Sequence, residues 1–428
     1  MTTRHVVFVS YDGMTDALGQ AQVIPYLEGL TRSDDLRFSI VSCEEPSRLA
    51  GREAPTRQRL SESGIAWYPL TYTSRPKVLS AVVDIERIDV ALRRLHRRDP
   101  IDMVHARSYI PALLAARAQR RWRVPFVFDM RGLWADERVD SGLWPQRKLL
   151  YKAIYRYFKR QERRLLQRAD EVICLTERAR VEIHSWPDGT KFAPLTVIPC
   201  CADLDRFNHS VVTDSQRNDA RRLANISGEV TPIGYVGSLG TWYMLDEMMQ
   251  FFSIYKQNHP QAIFLVVTPD DAELVYRSAD RSGVPAADVR VVSVSHAEVP
   301  AFMSLCRAVV MFIRPTYSKL ASSPTKLAEA LGMGLPVVVN MGVGDVDELV
   351  KEGSVIGVDP GDVRSLENGA DAIDQFPLSQ KGIRSAAERR FSLKEGVQAY
   401  RAVYTRVFNL DAGDMTLRSL SLRRRSAR

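Results

Sequence analysis

A chain of 428 residues exceeds the size at which a single hydrophobic core keeps growing, so two domains of ordinary size are expected. With 45% hydrophobic and 26% charged residues the composition is that of a globular protein and excludes collagen-like, coiled-coil and wholly disordered chains. The formal net charge of +8 favours phosphate-bearing ligands, nucleic acid or anionic membrane faces as partners and selects none of them.

Residues 6–10 form a short apolar run that meets Asp12 almost at once and reads as a first strand, not as a leader peptide. Similar β-branched runs at 38–42, 103–106, 126–129, 172–175 and 197–199 each precede a helical pattern, which predicts βαβ units and a parallel sheet over residues 1–207. A polar stretch at 208–230 reads as a linker with some local helix, and the alternation restarts at 233–236, 263–267, 289–292, 309–313 and 336–339. A second parallel sheet over 231–392 follows. In residues 393–410 the apolar positions Val397, Tyr400, Val403, Tyr404 and Val407 keep helical spacing, and this helix is expected to pack back on the first domain. Residues 413–428, with clustered arginines, read as a disordered basic tail.

The five cysteines are scattered without CxxC spacing, which fits reduced thiols in a cytoplasmic protein and suggests neither a disulfide nor a zinc site. No apolar run approaches the roughly 18 residues of a spanning helix, so membrane contact is expected to be peripheral, at the inner face. The expected fold class is α/β, with two Rossmann-like domains whose strand ends face each other across an interdomain cleft. Nucleic acid is disfavoured, because no basic stripe with interleaved aromatics is present.

Residues 322–339 (SSPTKLAEALGMGLPVVV) carry most of the information. Ser322 and Ser323 lead to a helix start, with Ser323 read as the N-cap and Pro324 where its missing N–H costs nothing. The free amides of such a start, at Thr325 and beyond, form an anion site. A helix end contributes about 0.3–2 kcal/mol to holding an anion, whereas micromolar binding needs about 8 kcal/mol, so Lys326 and Arg314 must share a diphosphate. Glu329 falls on the helix face of Thr325 and Lys326, where its carboxylate suits ribose hydroxyls; the alternative is an exposed Lys326–Glu329 pair.

This segment resembles the nucleotide-binding signature of family 4 glycosyltransferases (glycosyl transferase group 1, GT-B fold), in which two glutamates are separated by seven residues. The second glutamate matches Glu329, while the position of the first, which contacts the transferred sugar, is Ala321. Residues 319–327 (KLASSPTKL) are similar to a polysaccharide-assembly subgroup in which a Ser-Pro-Thr-Lys turn replaces that first glutamate. The resemblance implies an acceptor domain followed by a nucleotide-sugar donor domain. It also implies transfer to a saccharide or lipid-linked acceptor with retention at the anomeric carbon, without metal or cofactor, in polysaccharide or glycoconjugate assembly.

Residues 235–240 (YVGSLG) end a strand with Gly237 and Ser238, like the family's glycine turn beside the donor phosphates. The Arg and Lys that usually follow are replaced by Thr241, Trp242 and Tyr243. Residues 10–20 (SYDGMTDALGQ) place Gly13, Gly19 and Gln20 in a strand-to-helix loop resembling the family's first glycine loop, a composition that a plain connecting loop shares. Asp129 and Arg131 stand past another strand, Asp129 at a position where many family members have histidine, and read as a catalytic pair or as a buried ion pair. His105 and Arg107 also follow a strand, as acceptor-side groups or as packing residues. Residues 145–168 form an amphipathic, strongly basic helix that suits an anionic membrane surface or a solvated Rossmann face equally well. A nucleotide-sugar epimerase and a non-catalytic nucleotide-sugar-binding partner are the competing functions.

Overall fold

The computed structural model describes residues 3–32, 35–73, 77–187, 189–228 and 230–425, with side chains outside the description at 77–81, 190 and 410–425. The chain divides into two compact units, Met1–Ile198 with Leu393–Arg428, and Pro199–Ser392.

The first unit is built on a seven-stranded parallel sheet of β1 (Arg4–Ser10), β2 (Leu36–Glu44), β3 (Ala66–Thr71), β4 (Met103–Arg107), β5 (Phe126–Asp129), β6 (Glu171–Cys174) and β7 (Leu195–Val197), in the order β3-β2-β1-β4-β5-β6-β7. Its middle strands β1, β4 and β5 are buried nearly throughout, which is why they read as unbroken apolar runs. Phe8 of β1 lies opposite both Ile40 of β2 and His105 of β4. The strand order reverses between β1 and β4, so the carboxyl ends Ser10 and Arg107 flank the crevice where open α/β sheets take ligands.

Helix Leu393–Arg425 belongs to this unit although it follows the second unit in the chain. It lies against helix Ile24–Leu30, where a Cβ on Gly29 would come within 2.6 Å of Val397, and it buries Tyr400, Val403, Tyr404 and Val407. The helix also runs through most of the segment expected to be a disordered tail. Gly413 lowers helix stability by only about 1 kcal/mol, and the leucines, methionine and arginines around it are good helix formers. Residues 426–428 of that tail lie outside the described residues.

The second unit carries a six-stranded parallel sheet of β8 (Ile233–Val236), β9 (Phe264–Val267), β10 (Val289–Val292), β11 (Ala308–Met311), β12 (Val337–Asn340) and β13 (Ile356–Val358), in the order β10-β9-β8-β11-β12-β13. Apolar clusters pack on both faces of the sheet, one around Leu265, Val309 and Leu331 and the other around Tyr235, Phe264 and Val310. The order reverses between β8 and β11, so their carboxyl ends define the equivalent crevice. Residues 199–230, expected as the end of the first domain and a linker, are part of this unit. The polar helix Asp214–Leu223, started by a Thr213–Gln216 capping box, hides Ala220, and Phe207, Val212 and Ile226 beside it enter the core.

Candidate functional site

The crevice of the second unit gathers the residues expected to hold a donor. β8 is followed by Gly237 at φ +119, where a Cβ would lie 2.3 Å from Cε of Lys326, so only glycine lets the lysine cross the strand end. The Lys326 amine donates to Tyr235 Oη at 2.9 Å and to the Ser238 carbonyl at 3.4 Å, and sits 3.5 Å from the ring centroid of Tyr243. Burial pushes its pKa down to about 7, against the opposing pull of Glu329 and Asp270.

Helix Thr325–Gly332 opens one residue later than its sequence suggests. Pro324 takes the N-cap place without a side-chain bond, and Ser323 is not the cap because its Oγ accepts from the Cys200 N–H at 3.0 Å. The Leu327 N–H turns back to the Pro324 carbonyl at 3.1 Å, and the Thr325 and Lys326 amides of this first turn meet no acceptor among the described residues. Ser322 is fixed through its own N–H to the Lys319 carbonyl at 3.2 Å. Glu329 is buried and accepts a hydrogen bond from His296 Nε2 at 2.8 Å, so the intrahelical pair with Lys326 does not form. Arg314, past the end of β11, is exposed; its N–H donates to the Trp242 carbonyl at 2.8 Å, and among the described residues its guanidinium meets no carboxylate.

Two features were not anticipated. Trp242 and Tyr243, which stand where basic residues were expected, offer their ring faces to Lys319 and Lys326 at 3.8 and 3.5 Å, so aromatic surfaces seat the cations there. His296, which follows β10, could have been found by the same strand-end rule that selected the other residues. Ala321, where the family's first glutamate would stand, is buried at the end of the short turn Tyr317–Ala321.

In the first unit the glycine loop is built around Glu44, a residue the sequence did not single out. Its buried carboxylate accepts from the N–H groups of Met14 at 2.7 Å and Thr15 at 3.1 Å, and from the hydroxyls of Thr15 at 2.7 Å and Ser42 at 2.5 Å. A Cβ on Gly13 would fall 2.7 Å from that carboxylate, and one on Gly19 would fall 2.2 Å from the Gly13 carbonyl. Gln20 braces the loop, donating to the Met14 carbonyl at 2.8 Å and accepting from Arg59 at 3.1 Å.

At the ends of β4 and β5, Asp129 is fully buried among Arg107 and Arg131, each with a nitrogen at 3.8 Å, Tyr400 Oη at 3.1 Å and His105 Nε2 at 3.4 Å. Burial raises the Asp129 carboxyl, but Arg131, His105 and Arg107 together outweigh it and hold it below the usual carboxylate range. His105 is itself sealed, with Nδ1 bonded to Tyr404 Oη at 2.8 Å and its ring stacked on Phe8, and burial holds it below the ordinary histidine value. Arg131 stands at φ +57, a backbone state rare for a branched or bulky side chain, and reaches Gln22 Oε1 at 3.5 Å. The expected trio of His105, Asp129 and Arg131 is thus brought together with Arg107 beside it, the arginine side chains only 5% (Arg107) and 11% (Arg131) exposed.

Comparison with known proteins agrees with this architecture. Residues 28–201 match the model of the glycosyl transferase 4-like domain, and residues 231–375 match that of the glycosyl transferases group 1. Among solved structures, HepE from Anabaena in complex with UDP and glucose superposes with a TM-score of 0.66 at 15% identity, covering 94% of this chain and 99% of its own. Sucrose-phosphate synthase from Thermosynechococcus elongatus gives 0.69 at 15% identity, over 95% and 100%. UDP-GlcNAc 2-epimerase from Neisseria meningitidis, bound to UDP-GlcNAc, gives 0.59 at 14% identity, over 95% and 100%. No curated protein matches the chain by sequence. The fold is that of the GT-B glycosyltransferases. The chain belongs to the group 1 glycosyltransferases, and it is a glycosyltransferase.

Proposed function

We propose that this enzyme takes its sugar from a nucleoside diphosphate donor seated in the crevice of the second unit. The observation that carries the reading is the half-buried Lys326 amine, held between Gly237, Tyr235 and Tyr243 beside two amides that meet no acceptor among the described residues. A cation kept partly neutral by burial gains most when an anion reaches it, so the diphosphate supplies the charge the site lacks. Arg314 and the backbone at Ser238 and Thr325 complete the cradle, with Gly237 leaving the room in which Lys326 lies, Ser322 and Ser323 shaping its approach, and Glu329 taking the ribose hydroxyls.

Glycosyl transfer breaks the bond between the anomeric carbon and the diphosphate oxygen as the acceptor oxygen bonds to that carbon. Negative charge grows on the departing diphosphate, and stabilising it there rather than in the ground state is what accelerates the step. Lys326, Arg314 and the helix amides are placed to do so, in the role a divalent cation fills elsewhere. We assign the acceptor side to Arg107 and Arg131, held by Asp129 and His105 as positioning residues, and expect retention at the anomeric carbon. The acceptor is a saccharide or lipid-linked saccharide of polysaccharide or glycoconjugate assembly, reached from a peripheral position on an anionic membrane.

Titration calorimetry with UDP and UDP-glucose tests the donor site. Lys326→Ala and Glu329→Ala should each weaken binding at least about tenfold, a loss of about 1.4 kcal/mol; wild-type affinity in both variants would remove the assignment. The likeness to UDP-GlcNAc 2-epimerase gives weight to a second reading. Incubation of UDP-GlcNAc without acceptor separates the two, since an epimerase changes the sugar and a transferase does not.

A further inference from the structure

The basic helix Leu149–Arg168 suits a membrane surface or a solvated face, and its exposed side decides between them. Leu149 is 84% exposed and Leu150 60%, with Leu143 at 53% just before and Tyr157 at 50% two turns on. Large side chains this open at one end of a helix form an apolar patch that water does not favour. Around and behind the patch stand Lys148, Lys152, Arg156, Arg160, Arg163 and Arg164, all exposed. Among the described residues none of these six is paired with a carboxylate. The helix has a single acid, Glu162, and it is buried against Lys159 and Tyr109.

The patch also has a definite place in the fold. β5 and β6 are parallel neighbours, so the helix that returns the chain to Glu171 runs against the strands and starts at their carboxyl edge. Leu149 and Leu150 therefore stand at the same end of the sheet as Arg107 and Arg131. On the same helix Phe158 packs with Trp134 and Trp144, ring centroids 4.9 to 5.6 Å apart, which anchors the helix to the unit.

We propose that Leu143, Leu149, Leu150 and Tyr157 enter the headgroup region of an anionic lipid bilayer, with the six unpaired cations lying along the phosphates. The chemistry is that of an interfacial amphipathic helix, in which long basic side chains keep their charge in the headgroups while leucines descend. The inference rests on the proposed transfer reading and narrows its acceptor. The patch lies at the same end of the sheet as Arg107 and Arg131, so an acceptor carried in the bilayer, a lipid-linked saccharide, is the one brought to those arginines.

The test uses the full-length protein and vesicles of phosphatidylglycerol mixed with phosphatidylcholine, or of phosphatidylcholine alone. Flotation should carry the wild type with the mixed vesicles and not with the neutral ones, with release at high salt. The double variant Leu149→Glu/Leu150→Glu should lose partitioning by about a hundredfold, and Leu149→Ser alone by about tenfold. Neither change should alter UDP binding, so a failure here is distinct from a failure of the donor site. Equal partitioning of the double variant, absence of wild-type protein from the anionic vesicles, or a dimer that shields these leucines would overturn the proposal.

Discussion

At the scale of single residues, Lys326 makes a pH-dependent claim. Its pKa falls from 10.5 to about 7 in the folded protein because burial disfavours the ammonium. The unfolded chain keeps that proton up to the ordinary lysine range, so the destabilisation accumulates as pH drops from about 10 to 7 and is complete below 7. A diphosphate binds the charged form, and above pH 7 it must bring a proton with it. UDP affinity should therefore fall by about tenfold per unit between pH 7 and 9, and Lys326→Met should abolish that slope without lowering the melting temperature. A flat profile in the wild type, measured by calorimetry across that range, would contradict the assignment. Lys326 and Glu329 were singled out from their spacing and neighbours. What was not legible is that Tyr235 and Tyr243, far away in sequence, hold the amine, or that His296 occupies Glu329. Removing that partner with His296→Ala leaves a buried carboxylate short of a donor, and the Michaelis constant for the donor should change about three- to tenfold with a smaller change in turnover.

At the scale of elements, the glycine loop after β1 shows how a strand-end loop is fixed by a residue that carries no motif. Glu44 ends β2 and gathers four donors from the loop and strand, so its truncation strands several buried groups at once. Glu44→Ala should cost about 2–4 kcal/mol, read as a lower denaturant midpoint at an unchanged slope. Gly19→Ala should be at least as damaging, because its Cβ would meet backbone at 2.2 Å and backbone cannot swing aside. The sequence pattern revealed the buried strands because two covered faces require unbroken apolar runs. It missed β3 and β13, and both are edges. β3 contains Pro69 and alternates in exposure, which only an edge strand tolerates, while β13 is three residues long with a central glycine. The helix start at Thr325 was misplaced by one residue for a related reason: Ser323 has the composition of a cap, but a distant amide at Cys200 claims its oxygen.

At the scale of the whole molecule, chain order and spatial order part company at the C-terminus. Helix Leu393–Arg425 completes the first unit from the far end of the sequence, and through it Tyr400 and Tyr404 reach Asp129 and His105 at the heart of that unit. The amphipathic spacing of Val397, Tyr400, Val403, Tyr404 and Val407 made the helix legible. Its partners were not, because nothing local records that a histidine about three hundred positions earlier needs a hydroxyl. Each tyrosine hydroxyl satisfies a group that is fully buried, so its loss leaves that group unpaired in a medium of low polarity. Tyr404→Phe and Tyr400→Phe should each lower stability by about 1–3 kcal/mol. The Tyr400 change should also bring the Asp129 carboxyl closer to ordinary titration, since one of its hydrogen-bond donors is gone. Hydrogen exchange gives the spatial readout: amides of β4 and β5 should exchange about five- to a hundredfold faster in either variant, and those of β8 and β11 should keep their protection. UDP affinity should stay within about twofold, because every proposed donor contact lies in the second unit. Faster exchange spread evenly over both sheets would mean that the closing helix stabilises the whole chain rather than the arginine cluster it covers.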